Sequence, residues 1–260
     1  MLKGKSAIVT GSTSGIGLGI AETLAAQGIN ILFNGFGDKA AIDAVVANTA
    51  SKFGVKTAYS AADMSKAADI RAMVKQAEDT FGAVDILINN AGIQFTSTIE
   101  EFPEEKWDAI IAINLTSAFH AMKAAIPGMK KRNWGRIINI ASAHGLVGSP
   151  NKSAYVAAKH GIVGLTKVAA LEMGDAMITV NAICPGWVMT PLVQKQIDDR
   201  AAKEGKSAKD VGLEMLAEKQ SNGRFSTPEQ MGALALFLCS DAAVNMTGTT
   251  HSMDGGWTAH

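Results

Sequence analysis

Short apolar, β-branched runs alternate along this chain with alanine-rich segments of helical spacing. SAIVT (6–10), NILFN (30–34), VKTAY (55–59), VDILIN (84–89), GRIINIA (135–141), ITVNAI (178–183) and GTTHSMD (248–254) read as strands. Between them lie segments such as GIGLGIAETLAAQG and ADIRAMVKQAEDTFG, which read as amphipathic helices. Strand, helix, strand, helix predicts right-handed crossovers and an α/β fold, a doubly wound parallel sheet of about seven strands with helices on both faces. No internal repeat beyond this unit, no low-complexity tract and no Pro- or Ser-rich linker interrupts it, so residues 1–260 are expected to form a single domain. The one segment that breaks the rhythm is 191–224, charged and helical, inserted between the sixth and seventh strands. It is either a solvated helical hairpin or a lid, at about 190–224, over a site at the carboxyl edge of the sheet.

Composition narrows the function classes. With 47% hydrophobic residues, 260 residues can bury a large core, which excludes disorder. Lys plus Arg and Asp plus Glu balance at 24 each, so the basic field a nucleic-acid partner needs is missing. No apolar stretch is read as approaching a membrane span, and MLKGKSAIVTGS is too short and too soon broken by glycine for a signal peptide. Cys184 and Cys239 form neither a disulfide framework nor a metal-spaced pair, and no ligand motif such as HExxH occurs, so no metal is expected. A cytoplasmic enzyme or binding protein fits these bounds.

Ligands of doubly wound sheets bind outside the carboxyl ends of the strands, and the unusual polar and glycine clusters fall there. After the first strand comes TGSTSGIG, with Gly11, Gly15 and Gly17; glycines let backbone approach a pyrophosphate, and a helix beginning near Gly15 aims free N–H groups at it. Asp63, after the third strand, either caps the next helix or accepts from an adenine amine. The fourth strand ends in NNAGIQ (89–94), Ser142 and His144 follow the fifth, and Pro185, Gly186 and Trp187 follow the sixth. Five strand ends delivering such residues to one edge suit a ligand site better than a scaffold.

One of only two tyrosines, Tyr155, stands in NKSAYVAAKHG between Lys152 and Lys159. Helical spacing puts the three on one face. A phenol is a poor base at neutral pH, and a nearby ammonium is expected to lower its pKa into the range useful for general acid–base work. A Ser142 hydroxyl could bond the same substrate oxygen.

TGSTSGIG, NNAG, Asn114, Ser142, YVAAK and PGW, in this order and over nearly the whole chain, resemble the short-chain dehydrogenase/reductase family. The resemblance implies a Rossmann-type sheet and a nicotinamide cofactor. It implies Tyr155 as acid/base, Lys159 on the nicotinamide ribose, Ser142 polarising the substrate oxygen and Asn114 holding a water in a relay with Lys159. It also implies a cofactor cradle of Gly11, Thr13, Ser14, Gly15, Ile16, Gly17, Phe36, Asp63, Asn90, Ala91, Gly92, Tyr155, Lys159, Pro185, Gly186, Val188 and Thr190. No cation follows the second strand until Lys39, which favours NAD over NADP. The acidic residue expected to grip the adenosine ribose is replaced by Asn34, Gly35 and Phe36, leaving Asp38, or backbone groups with Phe36 packed on the ribose or adenine, to do that work.

The substrate side is unusually polar. Lys152, His144, Gln94 and Gln196 offer a cation and amide or imidazole groups, the set a small buried carboxylate would need. NNAGIQ, ASAHGL, NKSAYVAAKHG, ICPGWV and DGGWTA are similar to the D-3-hydroxybutyrate dehydrogenase branch of the family. By that resemblance the substrate is a small 3-hydroxy acid, (R)-3-hydroxybutyrate, bound by Gln94, Ser142, His144, Lys152, Tyr155 and Gln196, with Trp187 beside its methyl group, in a homotetramer. Phe95 and Met189 depart from residues common at those positions and are expected to tune affinity or lid motion. The rival readings are an NADPH-dependent 3-oxoacyl thioester reductase on the same fold and a non-catalytic nucleotide sensor.

Overall fold

The computed structural model describes residues 2–259. Within them β1 (Ser6–Val9), β2 (Asn30–Asn34), β3 (Thr57–Ser60), β4 (Ile86–Asn89), β5 (Gly135–Ile140), β6 (Ile178–Pro185) and β7 (Thr250–Met253) form one parallel seven-stranded sheet in the order β3-β2-β1-β4-β5-β6-β7. Each strand predicted from the sequence is present within two residues of its expected ends. Because successive side chains point to opposite faces, Ala7 and Val9 enter one apolar layer and Ile8 the other. The first layer packs α1 (Gly15–Ala25) and α9 (Pro228–Cys239) on the sheet; the second packs α3 (Ala67–Phe81), α5 (Ser117–Arg132) and α6 (Ser153–Glu172). Both faces are thus buried, which is why the strands read as continuous apolar runs. The remaining early helices are α2 (Lys39–Phe53) and α4 (Glu104–Ile111).

A π-helical turn, Ala112–Thr116, joins α4 to α5. By length and composition alone the resulting 29-residue run Glu104–Arg132 is apolar enough to cross a membrane, which corrects the expectation that no stretch approaches a span. Its two halves look unremarkable separately; continuity through the π turn makes the length. In the fold it packs on α3 and α6.

The strand order reverses between β1 and β4, since β1 leads outward to β2 and β3 before the chain crosses back. A crevice opens there, at the carboxyl ends. The insertion between β6 and β7 is a helical hairpin, α7 (Pro191–Glu204) and α8 (Ala208–Ala217). Thr190 and Ser207 cap the two helices and Gly205 closes the first in a left-handed conformation. The hairpin has its own small core of Val193, Ile197, Ala201, Val211 and Met215, against which Trp187, Met189 and Phe225 pack. Arg200 pairs with Glu204, Glu214 and Glu218 at 2.8, 3.4 and 3.1 Å. Each exposed pair contributes at most about 1 kcal/mol, but together they tie one helix to the other.

Candidate active site

The glycine loop is dictated by close approach. Gly11 has φ +61°, and a Cβ there would lie 2.9 Å from Ala91 Cα; at Gly17 it would lie 2.3 Å from the Gly11 carbonyl oxygen and 2.5 Å from Asn90 Nδ2. Asn90 explains that proximity. Its side-chain amide donates to the carbonyls of Thr10 (2.9 Å) and Gly11 (3.0 Å), while the Thr10 hydroxyl accepts from the backbone amides of Asn90 (2.9 Å) and Ala91 (3.0 Å). Asn90 therefore braces the loop. Replacing Gly17 with Ala forces backbone apart, and overpacking of this kind costs about 1–3 kcal/mol. We expect a lower thermal midpoint and weaker dinucleotide binding together; an unchanged midpoint would remove the loop from the structural core.

Helix α1 begins at Gly15 with no side-chain cap from Ser14 and no acidic residue in its first turn. Its leading N–H groups are therefore left for an anion. Gly11, Thr13, Ser14, Gly15, Ile16, Phe36, Asn90, Ala91, Gly92, Gln94, Ser142, Tyr155, Lys159, Pro185, Gly186 and Thr190 line one cleft of about 430 Å³. This donor set and the glycine contacts fit a dinucleotide. Three predicted cofactor residues lie outside the cleft lining. Gly17 is buried beneath it, and the Val188 side chain belongs to the core. The backbone bridge at Val188 uses the Trp187 carbonyl and the Met189 amide, both bonded to Ser226. The Asp63 carboxylate accepts from the Ser65 amide (2.9 Å) and hydroxyl (2.7 Å) and lies 3.4 Å from Lys66 Nζ, so its local role is a turn.

At the adenosine end, Asn34 is committed. Its amide donates to the carbonyls of Ser60 (3.1 Å) and Ala62 (3.0 Å), joining β2 to β3. Asp38 caps α2 by accepting from Ala41 N at 2.9 Å. Phe36 is 67% exposed at the cleft edge, and Lys39 pairs with Asp43 at 2.5 Å.

The catalytic candidates converge. Lys159 is buried and donates to the Ile140 carbonyl at 2.7 Å; burial pushes its ammonium down to about 8. Tyr155 lies against it, with Lys159 Nζ 5.5 Å from the phenol ring centroid. Contrary to expectation, the phenol stands above its ordinary range: burial raises it, opposed by a hydrogen bond with Ser142. The physical reason is that the ammonium sits by the ring and bonds a backbone carbonyl, while the apolar surroundings penalise the phenolate. The Ser142 hydroxyl accepts from the His144 amide at 3.2 Å and lies 3.4 Å from His144 Nδ1. Asn114 falls in the π turn, where its side chain clasps Ile93, accepting from the amide and donating to the carbonyl at 2.9 Å each. That clasp uses one N–H and one lone pair of its amide group and fixes the side chain against the loop after β4.

On the substrate side, Lys152 ends the turn before α6 and makes no cap with its side chain. Its Nζ lies 5.8 Å from the Trp187 ring centroid, and burial lowers its pKa. His144 is 5% exposed, with Tyr155 and Trp257 ring centroids at 5.9 and 5.0 Å and a buried Nε2 lacking any partner. Burial, then the Lys152 charge, pushes its pKa down to about 4, so the imidazole is neutral. Trp257, 5.9 Å from Trp187 between ring centroids, completes an aromatic wall that sequence reasoning missed. Gln94 is exposed at the cleft; Gln196 is half-buried on α7, outside the cleft lining, and makes no hydrogen bond to Lys152, His144 or Gln94. Among the described residues, no group of three or more His, Cys, Asp or Glu could hold a metal.

The neutral His144 has a consequence for stability. The unfolded chain takes up a proton near pH 6.5 and the folded chain only near pH 4, so folding loses support as pH falls through that window. The full loss is about 3 kcal/mol. The thermal midpoint of the wild type should fall more steeply between pH 6.5 and 4 than that of His144→Gln; parallel curves would contradict a neutral buried imidazole.

Comparison with known proteins places this geometry. Residues 11–258 match the family described as enoyl-(acyl carrier protein) reductase. The chain is 61% identical over 259 residues to a D-beta-hydroxybutyrate dehydrogenase of Cupriavidus necator, covering 100% of both chains. It is 55% identical over 255 residues to one of Rhizobium meliloti, covering 98% and 99%. The L-sorbose reductase of Gluconobacter frateurii, solved with NADPH and L-sorbose, superposes with a TM-score of 0.95 at 31% identity, covering 99% of this chain and 98% of that one. With the sheet, the glycine loop and the Ser142–Tyr155–Lys159 cluster in place, the chain belongs to the short-chain dehydrogenase/reductase family.

Proposed function

We propose that the protein is an NAD-dependent dehydrogenase that reversibly oxidises (R)-3-hydroxybutyrate to acetoacetate. The observation that carries the substrate is the half-buried, unpaired Lys152 ammonium beside Trp187 and the orphaned His144 Nε2, one helical turn from Tyr155. A partly desolvated cation without a counter-charge is costly, and a small carboxylate supplies that charge. The full-length identity with two D-beta-hydroxybutyrate dehydrogenases supports the same reading.

In the proposed reaction, Lys152, with His144 and Gln94, holds the carboxylate, and Gln196 joins them if the α7–α8 hairpin closes as a lid. Trp187 and Trp257 border the methyl group. Ser142 and Tyr155 bracket the 3-hydroxyl; the Tyr155 phenolate takes its proton, the O–H electron pair forms the C3–O double bond, and hydride leaves C3. The bound nicotinamide supplies the hydride acceptor. Lys159 holds the nicotinamide ribose, the Ser142 hydroxyl steadies the phenolate, and Asn114 holds a water in a relay with Lys159.

NAD is preferred to NADP on charge. The nearest cation after β2, Lys39, is engaged by Asp43, and Thr13, Gly35 and Phe36 offer an adenosine 2′-phosphate no counter-charge. With Asn34 and Asp38 engaged, the ribose hydroxyls are left to backbone groups and the Phe36 ring. A homotetramer is the assembly we propose, because Phe119, Val168, Leu171 and Phe237 leave large apolar side chains exposed on α5, α6 and α9. The two free, buried cysteines suit a reducing, cytoplasmic compartment.

The test is NADH absorbance on mixing the protein with (R)-3-hydroxybutyrate, with NADP, the (S) isomer and a 3-oxoacyl thioester reduction in parallel. Rapid reduction of NAD by the (R) acid alone is expected. Silence there, with NADPH-driven thioester reduction, would keep the fold and Tyr155 but overturn the carboxylate assignment.

A further inference from the structure

Four aromatic or cationic groups form a chain across the mouth of the site. Lys152 Nζ lies 5.8 Å from the Trp187 ring centroid, Trp187 and Trp257 are 5.9 Å apart, and Lys219 Nζ lies 5.9 Å from the Trp257 centroid. Lys219 follows α8 by two residues, at the exit of the hairpin. Its neighbour Gln220 is 1% exposed, accepts from the Trp187 amide and donates to the Arg224 carbonyl at 2.6 Å. The backbone beneath Lys219 is thereby fixed to the residue that carries one indole, while the ammonium lies over the other.

Among the described residues, three other cations of the hairpin are ion-paired, whereas Lys203, Lys209 and Arg224, like Lys219, are not, and of these four only Lys219 lies over an aromatic ring. Lys195 pairs with Asp199, Lys206 with Glu204 and Glu214, and Arg200 with three glutamates. Among the described residues neither Lys152 nor Lys219 forms an ion pair. Two ammonium groups thus flank one aromatic wall without a carboxylate between them. Their charges are felt inside the site: after burial, Lys219 is the next influence lowering Lys152, and it also acts on His144.

We propose that Lys219 is a second substrate-directing cation, which draws the carboxylate of the 3-hydroxy acid into the mouth and, with Lys152, holds the hairpin's exit to the scaffold once the anion is bound. The inference rests on the carboxylate reading above. Without an anion the two ammonium groups repel each other and favour an open mouth; one carboxylate offsets both charges and favours closure. One cation stands at the start of α6, which packs on the sheet, and the other at the exit of the hairpin, so the substrate's own charge couples binding to lid position.

The test uses the full-length protein with Lys219→Gln and Lys219→Arg. Four readouts are needed: kcat/KM for (R)-3-hydroxybutyrate at low and high ionic strength, calorimetric titration with butyrate, an unreactive carboxylate, in saturating NAD, the affinity for NAD, and the rate of 2-butanone reduction. Lys219→Gln should lower kcat/KM about tenfold at low salt, chiefly through KM, and flatten its salt dependence. It should weaken butyrate binding similarly, leave NAD binding unchanged and leave NADH-driven reduction of the neutral ketone 2-butanone unchanged; Lys219→Arg should restore the wild-type behaviour. Unaltered butyrate affinity and salt dependence in Lys219→Gln, or an equal loss with 2-butanone, would overturn the proposal while leaving the carboxylate reading intact. A wild-type protein that binds no butyrate would overturn both.

Discussion

Tyr155→Phe should leave NAD binding within about twofold of the wild type and lower turnover of (R)-3-hydroxybutyrate by about 10³-fold or more, the upper range of what positioned acid–base groups contribute. The substitution removes one oxygen and keeps the ring that packs against His144 and Lys159. The cradle lined by the glycine loop, Asn90 and Pro185 does not depend on that hydroxyl. The chemical step does, because among the groups facing the cleft only the phenol combines a removable proton with contact to Ser142 and the buried ammonium of Lys159. Since burial holds the phenol above its ordinary pKa, the oxidation rate of the wild type should rise with pH, and that rise should vanish in the variant. Stopped-flow NADH formation and fluorescence titration with NAD separate the two effects. Retention of a tenth of the wild-type turnover would remove Tyr155 from the proton transfer.

The same residue shows what the sequence could and could not disclose. Its spacing from Lys159 was enough to place both on the cleft, because a helix fixes which positions share a face; Lys152 stands just before the helix, where the turn and not the helical period aims it. The sign of its pKa shift was not legible: it depends on whether an ammonium meets the hydroxyl or the ring, and on how much apolar surface surrounds it. The strands were legible because burial on both faces of a parallel sheet demands continuous apolar runs. The π turn at Ala112–Thr116 was not, since it is set by the clasp of Asn114 on Ile93, a contact between residues 21 apart in sequence. Trp257 went unrecognised as a wall of the site for a similar reason. It lies over a hundred residues from His144, and only the return of the chain through β7 brings it there, although the tryptophan in DGGWTA, just beyond a strand end, was the available signal. Asn34 and Asn90 read as polar ends of strands; the structure spends both on stitching loops together, which no local pattern reveals.

Lys152→Ala should raise KM for (R)-3-hydroxybutyrate by about 10- to 150-fold, the range that loss of a charge-assisted hydrogen bond of 1.5–3 kcal/mol implies. Turnover should fall too, because the carboxylate contact aligns C3 and its hydroxyl with Tyr155, and lost alignment is lost rate. NAD affinity should be unaffected. Lys152 enters α6 without a side-chain cap, and its backbone pairing with Ser97 survives the substitution, so the helix that carries Tyr155 and Lys159 keeps its position. Truncation also removes an ammonium whose pKa burial has lowered, so the folded protein should be no less stable, and a matched or higher thermal midpoint would verify that binding alone was lost. Lys152→Met separates charge from packing: it keeps an apolar stem beside Trp187 and should lose as much substrate affinity as the alanine variant. Near-normal KM in Lys152→Met would mean that the stem matters and the charge does not, and equal losses for NAD and hydroxybutyrate would place the carboxylate elsewhere in the cleft.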